Sequence, residues 1–159
     1  MKGELNVQQM EELLCNQEVG RIGCTINGRV NIIPVTYAYD GDLVYWIAPE
    51  ELNMDALRQS PDLCFEVELM PDLGNWKYVL AWGRFRELVS SKERDQALKC
   101  LAKNHHADIS GLATKVSPEW PFVSTGHGVT SDYVHAIKLR QKSGGYEVFE
   151  SEGAKVHVC

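Results

Sequence analysis

Val19-Gly20-Arg21-Ile22-Gly23-Cys24-Thr25-Ile26-Asn27-Gly28-Arg29-Val30-Asn31-Ile32-Ile33-Pro34-Val35-Thr36-Tyr37-Ala38-Tyr39-Asp40-Gly41 is the stretch that decides the fold. Two runs rich in β-branched residues flank Asn27-Gly28. That dipeptide is the strongest short hairpin signal, because both central residues of a type I′ turn need positive φ, which Asn and Gly tolerate. The spacing predicts a strand Val19–Ile26, a tight turn and a second strand Arg29–Tyr39. Asp40-Gly41 closes another hairpin onto a third strand at 43–48. Two successive tight hairpins make a three-stranded antiparallel meander. Pro34 interrupts the second strand, and proline has no N–H for a ladder bond. It marks either an edge or bulge, or a place where the strand opens so that a ligand reaches the backbone.

Outward from the meander the pattern stays short and alternating. Asn53 precedes a short helix over Met54–Gln59, which Ser60-Pro61 ends, since a residue before proline avoids the α region. A strand follows at 63–69, then a loop at 70–75, then a long strand at 76–89 in which Gly83 marks a bulge or bend. Ser90-x-x-Glu93 is a capping box that starts a helix with the apolar stripe Ala97, Leu98, Leu101 and Ala102. Residues 107–130, with Pro118 and Pro121, read as a long loop. A strand at 133–141 follows, then a turn at Ser143-Gly144-Gly145, a short strand at 146–149 and a loosely held tail at 151–159. Before the meander, Asn6 and Gln9 form a capping box ahead of Met10, Leu13 and Leu14 on one helical face. The expected fold is mainly β, with six or seven antiparallel strands and three short helices. That many strands remove their edges best by closing into a barrel.

Composition narrows the function classes. The chain has 159 residues and 44% hydrophobic residues, enough for one domain with its own core and no need of disulfides or metal. A net charge of −6 with scattered Lys and Arg leaves no electrostatic footprint for nucleic acid or an anionic membrane. Five widely spaced cysteines without a CxxC argue against a disulfide framework or a zinc ribbon, and read as reduced thiols in a cytoplasmic protein. No signal peptide is read at the N-terminus, and no run approaches the roughly 20 apolar residues of a membrane span.

Catalytic motifs are scarce. There is no GxSxG, SxxK, HExxH, P-loop or GxGxxG. His157-x-Cys159 supplies too few ligands for zinc. His105 and His106 follow the last turn of a helix and read as solvated. Glu66 and Glu68 share one face of a strand and read as a solvated face rather than an acid/base pair.

The succession of elements carries more than any single motif. Val19-Gly20-Arg21-Ile22-Gly23, the run Ile32 to Gly41, Leu43-Val44-Tyr45-Trp46, Met54-Asp55-Ala56-Leu57-Arg58, Ser60-Pro61-Asp62-Leu63-Cys64-Phe65-Glu66-Val67 and Ala81-Trp82-Gly83-Arg84 follow one another in order. In this order the chain resembles the FMN-binding split-barrel family related to pyridoxamine 5'-phosphate oxidase, nearest its nitroimidazole-resistance branch. The resemblance covers about residues 5–105 and the strand Val134 to Arg140. It implies a single split-barrel domain over 1–159, a homodimer, and an FMN site at the subunit interface. It places the backbone of Ile33, Pro34, Val35 and Thr36 against the isoalloxazine ring. A flat ring needs apolar walls with donors and acceptors along its edge, which a proline-interrupted strand provides.

The phosphate side departs from that pattern. The branch usually carries His-Ser-Ala after the third strand and Gly-His-Lys or Gly-Arg-Lys before the second helix. Here Ile47-Ala48-Pro49 and Glu51-Leu52-Asn53 stand in their place, one residue shorter, and Glu50 and Glu51 bring negative charge to the expected phosphate. The helix start at Asn53 and a cation such as Arg58, Lys77, Arg84 or Arg86 are left to hold the anion; Arg58 and Arg84 are the foremost candidates. Two readings follow. One is an FMN-dependent oxidoreductase acting on a small molecule, with no side chain identified as acid or base. The other is a non-enzymatic barrel that holds haem, another ligand or no cofactor. The intact strand around Pro34 favours the first and the altered phosphate side the second.

Overall fold

A computed structural model of the chain describes residues 1–48, 52–105 and 134–149. Its elements are β1 Lys2–Glu4, α1 Val7–Asn16, β2 Val19–Ile26, β3 Arg29–Tyr39, β4 Leu43–Ile47, α2 Met54–Gln59, β5 Asp62–Asp72, β6 Asn75–Arg86, α3 Ser91–His105 and β7 Val134–Val148. The local chemistry of the sequence is visible in each turn. Asn27 and Gly28 take φ of 51° and 76°, as a type I′ hairpin requires, and β2 pairs antiparallel with β3 from Val19↔Thr36 to Ile26↔Arg29. At the next turn Asp40 Oδ1 accepts from the amides of Asp42 (2.9 Å) and Leu43 (2.7 Å), and its other oxygen accepts from the Tyr45 hydroxyl at 2.8 Å. Both capping boxes form: Asn6 with Gln9 at the start of α1, and Ser90 with Glu93 at the start of α3.

All seven strands belong to one antiparallel sheet in the order β1-β7-β4-β3-β2-β5-β6, and β7 also pairs with β6. That last pairing closes the sheet into a ring. Inside it lies the main core, including Ile22, Val35, Tyr37, Val44, Trp46, Phe65, Val67, Val79 and Ile137. The buried face of α1, with Met10, Leu13 and Leu14, joins this core. Tyr37 and Phe65 meet edge to face with centroids 4.8 Å apart, and the buried Tyr37 hydroxyl donates to the Leu14 carbonyl at 2.7 Å. That bond satisfies a carbonyl in the last turn of α1, which has no intrahelical partner. A second core on the outer face of the sheet joins Ala97 and Leu101 of α3 to Ala38, Tyr45, Val134 and Ala136. Among the described residues, no helix is long and apolar enough to cross a membrane.

Three local expectations are corrected. Ser143-Gly144-Gly145 is not a turn: β7 runs unbroken for 15 residues, and these glycines sit inside its ladder with β6. They are there for close packing. A Cβ on Gly144 would stand 2.9 Å from the Tyr78 carbonyl oxygen and 3.1 Å from both Leu5 and Met10. The loop expected at 70–75 is mostly strand, because β5 continues to Asp72; Pro71 is tolerated where the register shifts between Leu69 and Asp72. Lys2–Glu4, for which the sequence suggests no element, pairs with β7 as β1, a case in which backbone pairing alone makes the strand. The bulge expected at Gly83 is present as a register shift between Trp82 and Gly83. The expected loop at 107–130, the tail at 151–159, and Glu50, Glu51, His106, His157 and Cys159 lie outside the described residues.

Two predictions follow from this packing. A Cβ at Gly83 would meet the Lys138 carbonyl oxygen at 2.3 Å, whereas one at Gly23 meets only the Cys64 Cβ at 3.5 Å. Gly83→Ala should therefore lower stability by about 1–3 kcal/mol, as overpacking does, while Gly23→Ala leaves the melting temperature nearly unchanged; thermal denaturation of both variants checks the contrast. Tyr37→Phe leaves the Leu14 carbonyl without its buried donor, and chemical denaturation should show a loss of about 1–3 kcal/mol.

Candidate functional site

The split in the ring lies between β3 and β4. These strands pair only at Tyr37↔Trp46, Ala38↔Tyr45 and Tyr39↔Val44. Beyond that they part: Ile47 continues along β7 opposite Val134, whereas Thr36 back to Arg29 stays paired only with β2 among the described strands. One edge of β3 is therefore open over its first eight residues. The Tyr37 amide donates to the Glu18 carbonyl, on the β2 side, at 3.0 Å. Because antiparallel ladder groups alternate, the backbone of Thr36, Pro34 and Ile32 then points to the open edge. Pro34 stands where its missing N–H costs no ladder bond, the edge position expected of it.

Side chains alternate as well. Val35 and Tyr37 enter the core, and Ile33 packs against it. Val30, Ile32, Pro34 and Thr36 occupy the outer face, where Val30 is 81% and Ile32 71% exposed. Across the sheet that face continues through Gly23, Cys64 and Trp82, the register partners in line with Ile32. Arg21 stands in line with Pro34 and ion-pairs with both Glu66 (3.0 Å) and Glu68 (2.9 Å). The two glutamates are thus a salt-bridged strand face, held by one guanidinium whose pKa their hydrogen bonds raise.

A cavity of about 300 Å³ lies between α2, α3 and the start of β7, with Arg58, Glu87, Val89, Arg94, Val134 and His135 in its walls. His135 is Trp46's neighbour on β7, and Trp46 is Tyr37's on β4, so the cavity wall is two strand spacings, about 10 Å, from β3. The His135 ring lies between Trp46 and Phe85, at centroid distances of 5.7 and 5.5 Å. Burial holds its pKa below the ordinary value; nearby Glu87 acts the other way and Arg58 reinforces the lowering. His135 Nδ1 and Trp46 Nε1 are buried without a hydrogen-bond partner among the described residues.

Of the nine residues singled out from the sequence, four share one stretch and the other five are dispersed. Ile33, Pro34, Val35 and Thr36 form the open stretch of β3. Ile47 is half-buried and packs against the outer core, and Ala48 is buried in the inner one. Asn53 Oδ1 accepts from the Ala56 amide at 3.2 Å, so the side chain serves as the cap of α2. Arg58, at the other end of that helix, ion-pairs with Asp55 and Glu87 and lines the cavity. Arg84 lies on the outer face of β6 opposite Asp62, 3.6 Å away. It does not line the cavity that Arg58 does. His135 and Arg94 went unread in the sequence. β7 is buried on both faces around Ala136 and Ile137, so alternation there marks no side as special.

Comparison with known proteins agrees with this architecture. A family model for pyridoxamine 5'-phosphate oxidase matches residues 6–119. A FAD-binding protein of Mesorhizobium loti superposes with a TM-score of 0.70 at 21% identity, over 92% of this chain and 98% of that one. A Bacteroides thetaiotaomicron protein assigned to 5-nitroimidazole antibiotic resistance superposes with a TM-score of 0.65 at 12% identity, over 92% and 87%. An uncharacterised protein of Rhizobium meliloti is 24% identical over 100 residues, which span 60% of this chain and 66% of that one. With six strands and the bulge at Gly83 in the expected order, and a family model that matches more than half its length, the chain belongs to the pyridoxamine 5'-phosphate oxidase family.

Proposed function

We propose that the chain is an FMN-dependent oxidoreductase acting on a small molecule, working in the cytoplasm as a two-fold homodimer of single 159-residue domains. The observation that carries this reading is the open edge of β3. There the backbone at Pro34 and Thr36 is unpaired with any described strand and stands beside exposed apolar side chains. A flat heterocycle needs that combination of edge donors and acceptors and an apolar wall. Membership of the family and the likeness to a FAD-binding fold support a flavin as the ligand.

In this reading Ile33 to Thr36 orient the ring, and Ile47 and Ala48 stand at the point where β3 and β4 separate. Asn53 and Arg58, at the two ends of α2, and Arg84, from the partner subunit, serve the phosphate side. When bound, the flavin supplies the electron-transfer chemistry, and the chain supplies orientation and exclusion of water. Val30 and Ile32 are too exposed to belong to this chain's own core. A second copy covers them and walls the site from water.

The absorption spectrum of the purified protein tests the reading: paired flavin bands in the near-ultraviolet and blue support it, and a protein that binds no added FMN or FAD overturns it. The assembly is tested separately. Light scattering should give a dimer, with an interface above about 1,000 Å². Ile32→Asp should yield a folded monomer with at least a tenfold loss of flavin affinity, since a buried carboxylate at the interface costs several kcal/mol. A dimer that survives Ile32→Asp with its flavin affinity intact would place the interface elsewhere.

A further inference from the structure

Trp46 and His135 are register partners on β4 and β7, so their side chains leave the same side of the sheet. Their ring centroids are 5.7 Å apart. Trp46 is fully buried in the main core. Its Nε1 and the Nδ1 of His135 are both buried, and neither has a hydrogen-bond partner among the described residues. Phe85, whose ring centroid lies 5.5 Å from that of His135, has no polar atom to offer from its side chain. Trp offers a donor only, and a buried indole N–H left without an acceptor is costly. His135 also lines the cavity of about 300 Å³ beside α2 and α3. Since Nδ1 is buried, the ring turns its other edge, which carries Nε2, to that cavity.

We propose that one buried water joins Trp46 Nε1 to His135 Nδ1 and fixes His135 as its Nε2–H tautomer, and that the cavity binds the acceptor oxygen of a small uncharged molecule through that N–H. The water accepts from the indole and donates to Nδ1, which satisfies both atoms at once. A water that accepted from both rings would have two O–H groups to place among aromatic side chains. With Nδ1 accepting, the proton of a neutral imidazole belongs on Nε2. Burial, which lowers the His135 pKa, favours that neutral form. The wall selects the class of guest. Leu88, Val89 and Val134 give it an apolar side, and Arg58 arrives already ion-paired with Asp55 and Glu87. A carboxylate guest would compete with Glu87 for Arg58, and an ammonium would compete with Arg58 for Glu87. A neutral acceptor leaves that pair intact. The volume is at the small end of ligand pockets. The site is two strand spacings from the β3 edge and requires no flavin there.

Nitrogen-resolved NMR of the imidazoles reads the tautomer directly. At slightly alkaline pH His135 should appear as the Nε2–H form. Trp46→Phe, which removes the indole donor, should let the Nδ1–H form appear beside it. An Nδ1–H ring in wild type, or a Trp46→Phe protein that stays purely Nε2–H, overturns the bridge; if that variant does not fold, the wild-type tautomer alone decides. The ligand class is tested with N,N-dimethylacetamide, which has an acceptor oxygen and no N–H, against acetate at equal ionic strength. Methyl signals of Val89 and Val134 should move saturably with the amide and more weakly with acetate. His135→Phe should weaken amide binding about tenfold, the worth of one hydrogen bond, and His135→Gln, which restores an N–H, should hold it within a few-fold. No saturable shift, equal or tighter binding of acetate, or undiminished binding by His135→Phe overturns the site.

Discussion

β7 pairs along both of its edges, and the rest of the structure depends on that. Its first residues bond to β4, and from Ala136 onward it bonds to β6, so one strand closes the ring. A strand shared in this way must bend where its partners change. The register shift beside Gly83 provides the bend, Gly83 and Gly144 let neighbouring backbones approach where a Cβ would collide, and Gly145 makes room for the Tyr78 ring. Closure removes most of the exposed edges that make open sheets prone to pair with other chains.

The same closure creates the exception. β4 follows β7 and leaves β3 after three register pairs, which leaves the edge of β3 at Pro34 unpaired among the described strands. Proline would be costly anywhere the ladder continued, and here its missing donor faces away from β2. The candidate ligand edge and the closing of the barrel are therefore two results of one divergence. Function and stability meet at Tyr37, the last β3 residue before the split. Its ring packs in the core against Phe65, and its hydroxyl ties down the end of α1.

Electrostatics divide the surface along similar lines. The ion pairs of Arg21, Arg84 and Arg86 lie on exposed faces and add little stability individually. Around the cavity, by contrast, Arg58, Arg94 and His135 share the wall with Glu87 among the described residues. Desolvation holds the pKa of His135 below the ordinary histidine value. The described cysteines, Cys15, Cys24, Cys64 and Cys100, are free thiols, and burial raises the pKa of each.

Where structure depends on neighbours in the chain, the sequence alone was enough. Asn27-Gly28 set a type I′ turn because only such residues accept its dihedrals, and Asn6 and Ser90 set helix starts because their side chains reach amides three residues away. Pro34 announced an edge for an equally local reason, its missing N–H. Gly144-Gly145 was misread because glycine serves a turn and a tight packing contact equally well, and only the approach of Tyr78, Leu5 and Met10 distinguishes them. The strand Lys2–Glu4 has no apolar pattern to read, since β7 recruits it through the backbone. Arg58 was legible as a cation, but its meeting with Arg94 and His135 was not. Those three come from elements far apart in the chain, and only the closing of the ring by β7 brings them to one cavity.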